Sequence, residues 1–217
     1  MEEKQLLRDF IFERLRQDIL EGKYKKGEIL VESELAKEFG VSRTPIREVL
    51  RQLELEGLVV SIPNKGVFVQ GISDKDIEDI YVIRRMLEGL AARWAVQNIT
   101  EEQLELLRET CDLMEFYTDK GDLEKVAKYN TRFHEIIFEA SGSKYLKNVL
   151  NQFQEYVTRM RRESLKLPGR SKRALEEHRA ILQALEERNP DKAEQLLIEH
   201  VKNSSEIVLR SRKEMKE

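Results

Sequence analysis

Two helical patterns separated by a three-residue break place the strongest constraint on the fold of this chain. They lie in residues 33–59, SELAKEFGVSRTPIREVLRQLELEGLV, and the break is the GVS of residues 40–42. Pro45 lacks a backbone N–H, so it is accommodated only in the first turn of the second helix, where Ser42 or Thr44 can act as N-cap. Apolar residues recur at helical spacing in both patterns: Leu35, Ala36 and Phe39 in the first, and Ile46, Val49, Leu50, Leu53 and Leu58 in the second. The sequence therefore predicts a helix, a tight turn and a second helix that begins at about residues 43–45.

A β-hairpin is predicted directly after this helix pair. In residues 58–70, LVVSIPNKGVFVQ, two runs of β-branched and aromatic residues flank residues 63–66, and this pattern is typical of a hairpin that turns at Asn-Lys-Gly. Upstream, apolar residues at helical spacing predict a first helix that ends near Gly22: Leu6, Leu7, Phe10, Ile11, Leu15 and Ile19. Residues 1–72 are thus predicted to form a winged helix-turn-helix of three helices and a hairpin wing.

The rest of the chain, residues 73–217, has helical periodicity throughout and no convincing strand. Turn-forming residues at Thr100, Gly121, 141–142, 168–169 and 189–190 divide it. The predicted helices are 74–97, 101–119, 122–140, 144–166, 171–188 and 191–213. The fold class is therefore mainly α, with an all-α helical bundle following the winged helix-turn-helix.

Arginines on the second helix of the pair point to nucleic acid. Arg43, Arg47 and Arg51 recur every four residues, so they share one face, and that face lies opposite the apolar stripe. A helix-turn-helix lays its second helix in the major groove of DNA, where arginine hydrogen-bonds guanine or clamps a phosphate. The alternative is an ordinary solvated face. The order of helix, turn, arginine-bearing helix and basic wing favours DNA binding.

The predicted DNA contacts extend beyond the arginines. Ser42 and Thr44 can donate hydrogen bonds to phosphate. Lys65 and Gly66 at the tip of the wing suit a close approach to the minor groove. The predicted DNA-binding residues are Ser33, Ser42, Arg43, Thr44, Arg47, Lys65 and Gly66.

The chain contains three histidines, and each lies on an apolar helical stripe. His178 and His200 lie before and after the turn at residues 189–190, each about 15 Å from it at 1.5 Å of helix rise per residue, so they can meet. His134 follows Asn130 by one helical turn. Neutral imidazoles are good ligands for zinc, nickel and similar ions. The alternative is a set of hydrogen-bonded core histidines, but three inward histidines favour a divalent metal site.

The composition of the chain argues against several classes of protein. With 40% hydrophobic and 36% charged residues, the chain is expected to be globular, and a net charge of −3 gives no global support for nucleic acid. Its first residues carry charges of both signs, so we expect no secretory signal, no membrane span and a cytoplasmic location. Its single cysteine, Cys111, fits a reducing compartment.

Nearly all of residues 8–70 resembles the winged-helix domain of the GntR superfamily of bacterial transcription regulators, and Ser-Arg-Thr-Pro-x-Arg-Glu at residues 42–48 carries most of the resemblance. The resemblance implies binding to a double-stranded operator as a homodimer, with Arg43, Thr44 and Arg47 at the recognition helix and Gly66 at the wing. The helical remainder is similar to the FadR-like branch, whose C-terminal domain, of the FCD type, senses small molecules and carries the dimer.

The same resemblance implies a ligand set for the metal: Asn130, His134, His178 and His200. Many FadR-like domains have an acidic residue where this chain has Asn130. An amide is a weaker ligand than a carboxylate and leaves the site more positive, so either weaker metal retention or a stronger pull on an anionic effector follows. Arg84 resembles the start of the family's Arg-x-x-x-Glu and is a predicted effector anchor, the alternative being a simple pair with Glu88.

Open coordination positions on such a metal leave several functions to consider. A carboxylate effector is favoured. A metallohydrolase fused to a DNA-binding head is the rival, and the metal can also be structural or itself the signal. We expect no enzyme, because no HExxH motif is present and because Glu135 and Glu177 are expected to point to faces other than those of the histidines they adjoin. An acyl-CoA sensor without metal is disfavoured by the histidines.

Overall fold

A computed structural model describes residues 2–214, and within that span the side chains of all residues except 2–4, 155 and 159. The chain divides into two compact units, Met1–Ser73 and Asp74–Glu217. This division lies one residue from the predicted boundary between residues 72 and 73. Residue 1 and residues 215–217, which belong to the two predicted domains, lie outside the described residues.

The first unit contains the predicted helices and wing. Its elements are α1 (Glu2–Leu20), β1 (Ile29–Leu30), α2 (Glu32–Glu38), α3 (Arg43–Leu55), β2 (Val59–Ile62) and β3 (Gly66–Val69). Gly40 in the turn between α2 and α3 has φ +66°, a left-handed conformation that suits glycine. The apolar stripe of α3 is buried, with Ile46, Val49 and Leu53 fully inaccessible to solvent. The helix-turn-helix and its hairpin are therefore confirmed.

The sequence analysis missed one strand of this unit. Ile29 and Leu30 form β1, which pairs antiparallel with β3 so that the sheet order is β1-β3-β2. The hairpin itself has the predicted turn, because Ile62 faces Gly66 across β2 and β3. A strand of two residues has no alternation of its own to detect, and only its pairing with β3 defines it.

The second unit consists of six helices within the described residues. They are α4 (Asp74–Asn98), α5 (Glu101–Asp119), α6 (Leu123–Ala140), α7 (Lys144–Leu165), α8 (Arg170–Glu186) and α9 (Pro190–Glu214). Capping residues define where three of these helices begin. Thr100 and Gln103 form a capping box at the start of α5. The side chains of Asp122 and Ser143 accept hydrogen bonds from backbone N–H groups at the starts of α6 and α7. The predicted all-α bundle is confirmed.

Close packing of α4 against α9 organises the bundle. A Cβ atom at Gly89 of α4 would lie 2.7 Å from Cγ1 of Ile198 on α9, so the glycine allows the two helices to approach. The turn between α8 and α9 is also held to α4, since Arg188 donates to the backbone carbonyls of Val96 and Ile99. Within residues 2–214, no helix combines the length and the apolar character needed to span a lipid bilayer.

Candidate metal centre and nucleic-acid interface

The residues predicted to contact DNA all lie on the surface of the first unit. They are Ser33, Ser42, Arg43, Thr44, Arg47, Lys65 and Gly66, and each is exposed. Ser42 occupies the N-cap position of α3, but its side chain forms no capping hydrogen bond. The hydroxyl of Ser42 and the N-terminus of α3 therefore face solvent, as a contact with phosphate requires.

Arg47 is held in place by a carboxylate. Its Nε donates to Oε2 of Glu32 at 2.7 Å, and its side chain is 61% exposed. An exposed pair of this kind stabilises the fold little. Arg47 can therefore exchange Glu32 for a phosphate or a base at small energetic cost.

The three histidines come together in the core of the second unit. His134 of α6, His178 of α8 and His200 of α9 have exposed fractions of 0%, 0% and 3%. Their ring centroids are 4.6–5.3 Å apart. One ligand nitrogen from each lies within 4.8 Å of the others. The structure thus places His178 level with His200 across the α8–α9 hairpin and adds His134 to them.

Each imidazole uses its Nδ1 atom in a contact outside the cluster. Nδ1 of His134 lies 2.8 Å from Oε2 of Glu88, and Nδ1 of His200 lies 2.7 Å from Oε2 of Glu177. Nδ1 of His178 lies 3.3 Å from Sδ of Met114. A carboxylate on one ring nitrogen orients the imidazole and raises the basicity of the other nitrogen, as around many metal ions.

The remaining polar atoms of the cluster fit a bound cation. Nε2 of His134 and Nε2 of His178 are buried and have no hydrogen-bond partner among the described residues, and the same holds for Oδ1 of Asn130. Leaving such atoms buried and unpaired costs about 1–3 kcal/mol each. All three are electron-pair donors to a metal when the imidazoles are neutral. The predicted ligand set is therefore a chemically consistent place for a divalent ion.

Electrostatics keep the imidazoles neutral. Burial lowers the pKa of His134 to about 3, although Glu88 acts in the opposite direction. Burial likewise lowers the pKa of His178 and of His200. Burial alone would raise the pKa of Glu88, but Arg84 and His134 outweigh it and hold that pKa well below its usual range. At neutral pH the site therefore combines neutral imidazoles with an ionised Glu88.

Arg84 forms the pair with Glu88 that the sequence offers as one of its two interpretations. Its Nε donates to Oε1 of Glu88 at 2.7 Å, so the pair at i and i+4 exists. Arg84 also lines a small cavity of about 10 Å³, together with Asn130 and His200. Such a volume holds about one water molecule. The arginine therefore supports the histidine cluster through Glu88 and faces the space beside it.

The structure also corrects the sequence analysis around this cluster. The expectation that Glu177 points away from the histidines was wrong: its carboxylate contacts His200, one helix away, and Arg170 at 3.0 Å. Glu135 does lie elsewhere, beside Arg132 on a partly exposed surface. The sequence predicts Glu88 only as a partner for Arg84, whereas its carboxylate contacts His134 as well. Arg161 and Arg170, which line the cavity, were not identified.

Sequence signals for these missed residues are weak. Arg161 and Arg170 lie in a segment rich in arginine and lysine that reads as a solvated surface. Glu88 follows Arg84 by one helical turn, and that spacing was the available clue.

Comparisons with known proteins agree with this architecture. The profile of "Bacterial regulatory proteins, gntR family" matches residues 7–69, and that of the FCD domain matches residues 79–203. The chain is 32% identical over 196 residues to the uncharacterized HTH-type transcriptional regulator YdhC of Bacillus subtilis, covering 90% of this chain and 88% of that protein. It is 33% identical to the probable D-xylose utilization operon transcriptional repressor of Paenarthrobacter nicotinovorans, covering 90% and 84%.

A solved structure shares the fold. E. coli McbR/YncC superposes with a TM-score of 0.73 at 23% identity, covering 95% of this chain and 98% of that chain.

Proposed function

This chain belongs to the GntR family of bacterial regulatory proteins and carries an FCD domain, and from that premise we propose that a divalent metal and a small carboxylate control its binding to DNA. The chain is a DNA-binding transcriptional regulator, as its family and relatives are. The family and these relatives are regulators and not enzymes, which also confirms the prediction that the chain is not an enzyme. The rival hydrolase is therefore set aside.

The observation that carries the metal proposal is the set of buried donors without partners. Nε2 of His134, Nε2 of His178 and Oδ1 of Asn130 have no hydrogen-bond partner in the described part of the chain. Zinc or nickel suits imidazole ligands. A divalent ion held by Asn130, His134, His178 and His200 would supply positive charge and open coordination positions for a carboxylate. Glu88 and Glu177 would orient two of the imidazoles.

The effector proposal rests on the positive charge beside this cluster. Arg84 lines the cavity next to Asn130 and His200. Guanidinium groups bind carboxylates through paired, charge-assisted hydrogen bonds. We assign Arg84 the role of an anchor for an effector carboxylate that also faces the metal.

We propose that the protein acts in the cytoplasm and that effector binding changes its affinity for the operator DNA. A helix-turn-helix dimer reads two half-sites of a palindromic operator, and we assign this role to a homodimer of the chain with α3 as its recognition helix. An effector changes operator affinity only if it binds the competent and incompetent poses with different affinities. The proposed effector therefore shifts the relative pose of the two DNA-binding domains in the dimer.

The small size of the cavity favours a second candidate role for the metal, in which it is structural or is itself the signal. At about 10 Å³, the space beside the cluster holds about one water molecule. A metal that is structural, or is itself the signal, needs no larger space. In that case, thermal stability rises with metal and does not change with carboxylates.

The test uses full-length protein loaded with zinc and a duplex that the protein selects from a random-sequence library. Fluorescence anisotropy at fixed salt gives the operator affinity with and without a panel of metabolite carboxylates. We expect at least one carboxylate to bind in a metal-dependent way and to change operator affinity. Carboxylates that bind tightly while operator affinity stays unchanged would contradict the switch. A His134→Ala variant is the control, because it lacks a proposed metal ligand.

A further inference from the structure

Positive charge exceeds negative charge among the side chains around the cavity. Three arginines line it: Arg84, Arg161 and Arg170. Arg84 is paired with Glu88, and Arg170 is paired with Glu177. These two carboxylates are also shared with His134 and His200. Neither carboxylate forms a salt bridge with the third arginine, although Glu88 interacts with it at longer range.

Arg161 is that third arginine. It is only 7% exposed, and its Nη1 donates to the hydroxyl of Thr131 at 2.6 Å. No carboxylate among the described side chains forms a salt bridge with it. Burial and the neighbouring Arg84 lower the pKa of Arg161 to about 10, so it remains charged at neutral pH. The more distant carboxylates of Glu88 and Glu135 act in the opposite direction on this pKa, but neither forms a salt bridge with Arg161. A buried cation without a direct counter-ion is costly, and a bound anion lowers that cost.

The position of Arg161 connects the cavity to an open surface. Its partner Thr131 lines a groove of about 660 Å³ together with Thr158 and Arg162. Arg161 itself lines the small cavity on the other side of this contact. The Arg161–Thr131 hydrogen bond thus lies where the two spaces adjoin, and a neutral hydroxyl is a weaker partner for a guanidinium than an anion is.

We propose that Arg161 binds a second anionic group of the effector, so that the effector is a small acid with two anionic groups. This inference rests on the proposed function. One carboxylate of the acid faces Arg84 and the metal ligands, and the second group, a carboxylate or a phosphate, replaces Thr131 as the partner of Arg161. Because the cavity itself holds about one water molecule, this binding requires Arg161 to release Thr131 and the cavity to open towards the groove that Thr131 lines. Asn130 also lines the cavity and is neutral, so it adds no negative charge that would oppose a second anionic group.

The test compares matched acids on full-length, zinc-loaded protein. Malate is lactate with one added carboxylate, and 3-phosphoglycerate is glycerate with one added phosphate. Isothermal titration calorimetry at fixed salt gives the ratio of dissociation constants within each pair. We expect the acid with two anionic groups to bind about tenfold or more tightly in at least one pair. Arg161→Gln should reduce that ratio to near one.

Two further variants separate a specific contact from general charge. Arg162→Gln removes the same charge from the next residue, whose side chain is 50% exposed, and should keep the ratio. Arg161→Lys keeps the charge without the planar fork, so an intermediate ratio is expected, and it also serves as the readout if Arg161→Gln does not fold.

Three results would overturn the inference: equal affinities within both pairs, a ratio that persists in Arg161→Gln, or no binding by any of these acids. Zinc content and operator affinity of the same preparations test the proposed function separately. Lactate or glycerate binding without a preference for the second anionic group would leave the proposed function standing while this inference fails.

Discussion

Nδ1 of His134 lies 2.8 Å from Oε2 of Glu88, and neither side chain is more than 1% exposed. This contact joins α6 to α4 at the centre of the second unit. Because Oε1 of the same carboxylate accepts from Arg84, one buried residue links the histidine cluster to the wall of the cavity. The orientation of His134, and with it the direction of its free Nε2, depends on Glu88.

Replacing Glu88 should weaken the metal site without removing a ligand. Glu88→Gln keeps the shape of the side chain but loses the charge that orients His134 and balances Arg84. We expect metal affinity to fall about 10–100-fold, as for other carboxylates that support a histidine ligand. Competition with a chromophoric chelator measures it. Glu135→Gln, beside His134 in sequence but on another face, is the matched control; equal affinities in the two variants would refute the role of Glu88.

The metal-free protein should lose stability in mild acid. Burial lowers the pKa of all three histidines, that of His134 to about 3. Below the unfolded value of about 6.5, the unfolded chain therefore binds protons that the folded chain does not. The free energy of unfolding should therefore fall as the pH drops below about 6.5, by up to about 1.4 kcal/mol per pH unit for each histidine that stays neutral in the folded chain. For His134 this loss continues down to about pH 3.

Urea unfolding of chelator-treated protein at several pH values measures this slope. His178→Leu removes one of the titrating groups, and its Nδ1 contact is only to the sulfur of Met114. The variant should show a shallower slope than the parent. Identical slopes would mean that His178 does not contribute to the acid sensitivity.

Operator binding should depend on the arginines of α3. Arg43→Ala and Arg47→Ala should each cost about 1–3 kcal/mol of operator affinity if they contact bases. Arg210→Ala in the second unit makes the same charge change at an 82% exposed side chain and should have little effect. Anisotropy titrations at fixed salt compare the variants. Equal losses in all three would indicate a general effect of net charge.

Glu32 offers an independent check on Arg47. Glu32→Gln removes the carboxylate that holds Arg47 at 2.7 Å in the free protein. Because Glu32 competes with DNA for the guanidinium, operator affinity should rise. A fall in affinity would show that Glu32 instead positions Arg47 for the complex.

Adding a methyl group at Gly89 should disturb the packing of α4 on α9. The new Cβ would meet Cγ1 of Ile198 at 2.7 Å. We expect Gly89→Ala to destabilise the fold by about 1–3 kcal/mol and to lower metal affinity, since Glu88 and His200 lie on these two helices. Urea unfolding measures the first effect. An Ile198→Ala background should reduce the cost, and an undiminished cost there would exclude this contact as the cause.

The helices of this fold are predictable because their ends carry local signals. Thr100 and Gln103 form the capping box that the break at Thr100 indicates, and Asp122 and Ser143 cap the next two helices. The histidine cluster is predictable for a similar reason. Each histidine lies on the apolar face of its helix, and the apolar face of a helix packs towards the core.

The supporting contacts are not predictable in this way. Glu88 and Arg161 are charged residues, and the sequence gives no sign that they are buried rather than solvated. Their partners, His134 and Thr131, lie on another helix and far away in sequence. Helical spacing also does not indicate which residues of an apolar stripe are buried. Leu6 and Phe10 lie on the stripe of α1, yet they are 68% and 63% exposed.

The metal content of the protein tests the central claim most directly. Elemental analysis of untagged protein, purified without chelator, should find about one equivalent of a transition metal per chain, as expected for one four-ligand site. A His134→Ala/His178→Ala variant prepared in parallel should contain little. Two empty preparations that also fail to take up added zinc or nickel would contradict the account and leave the histidines as core residues or as the lining of a metal-free pocket.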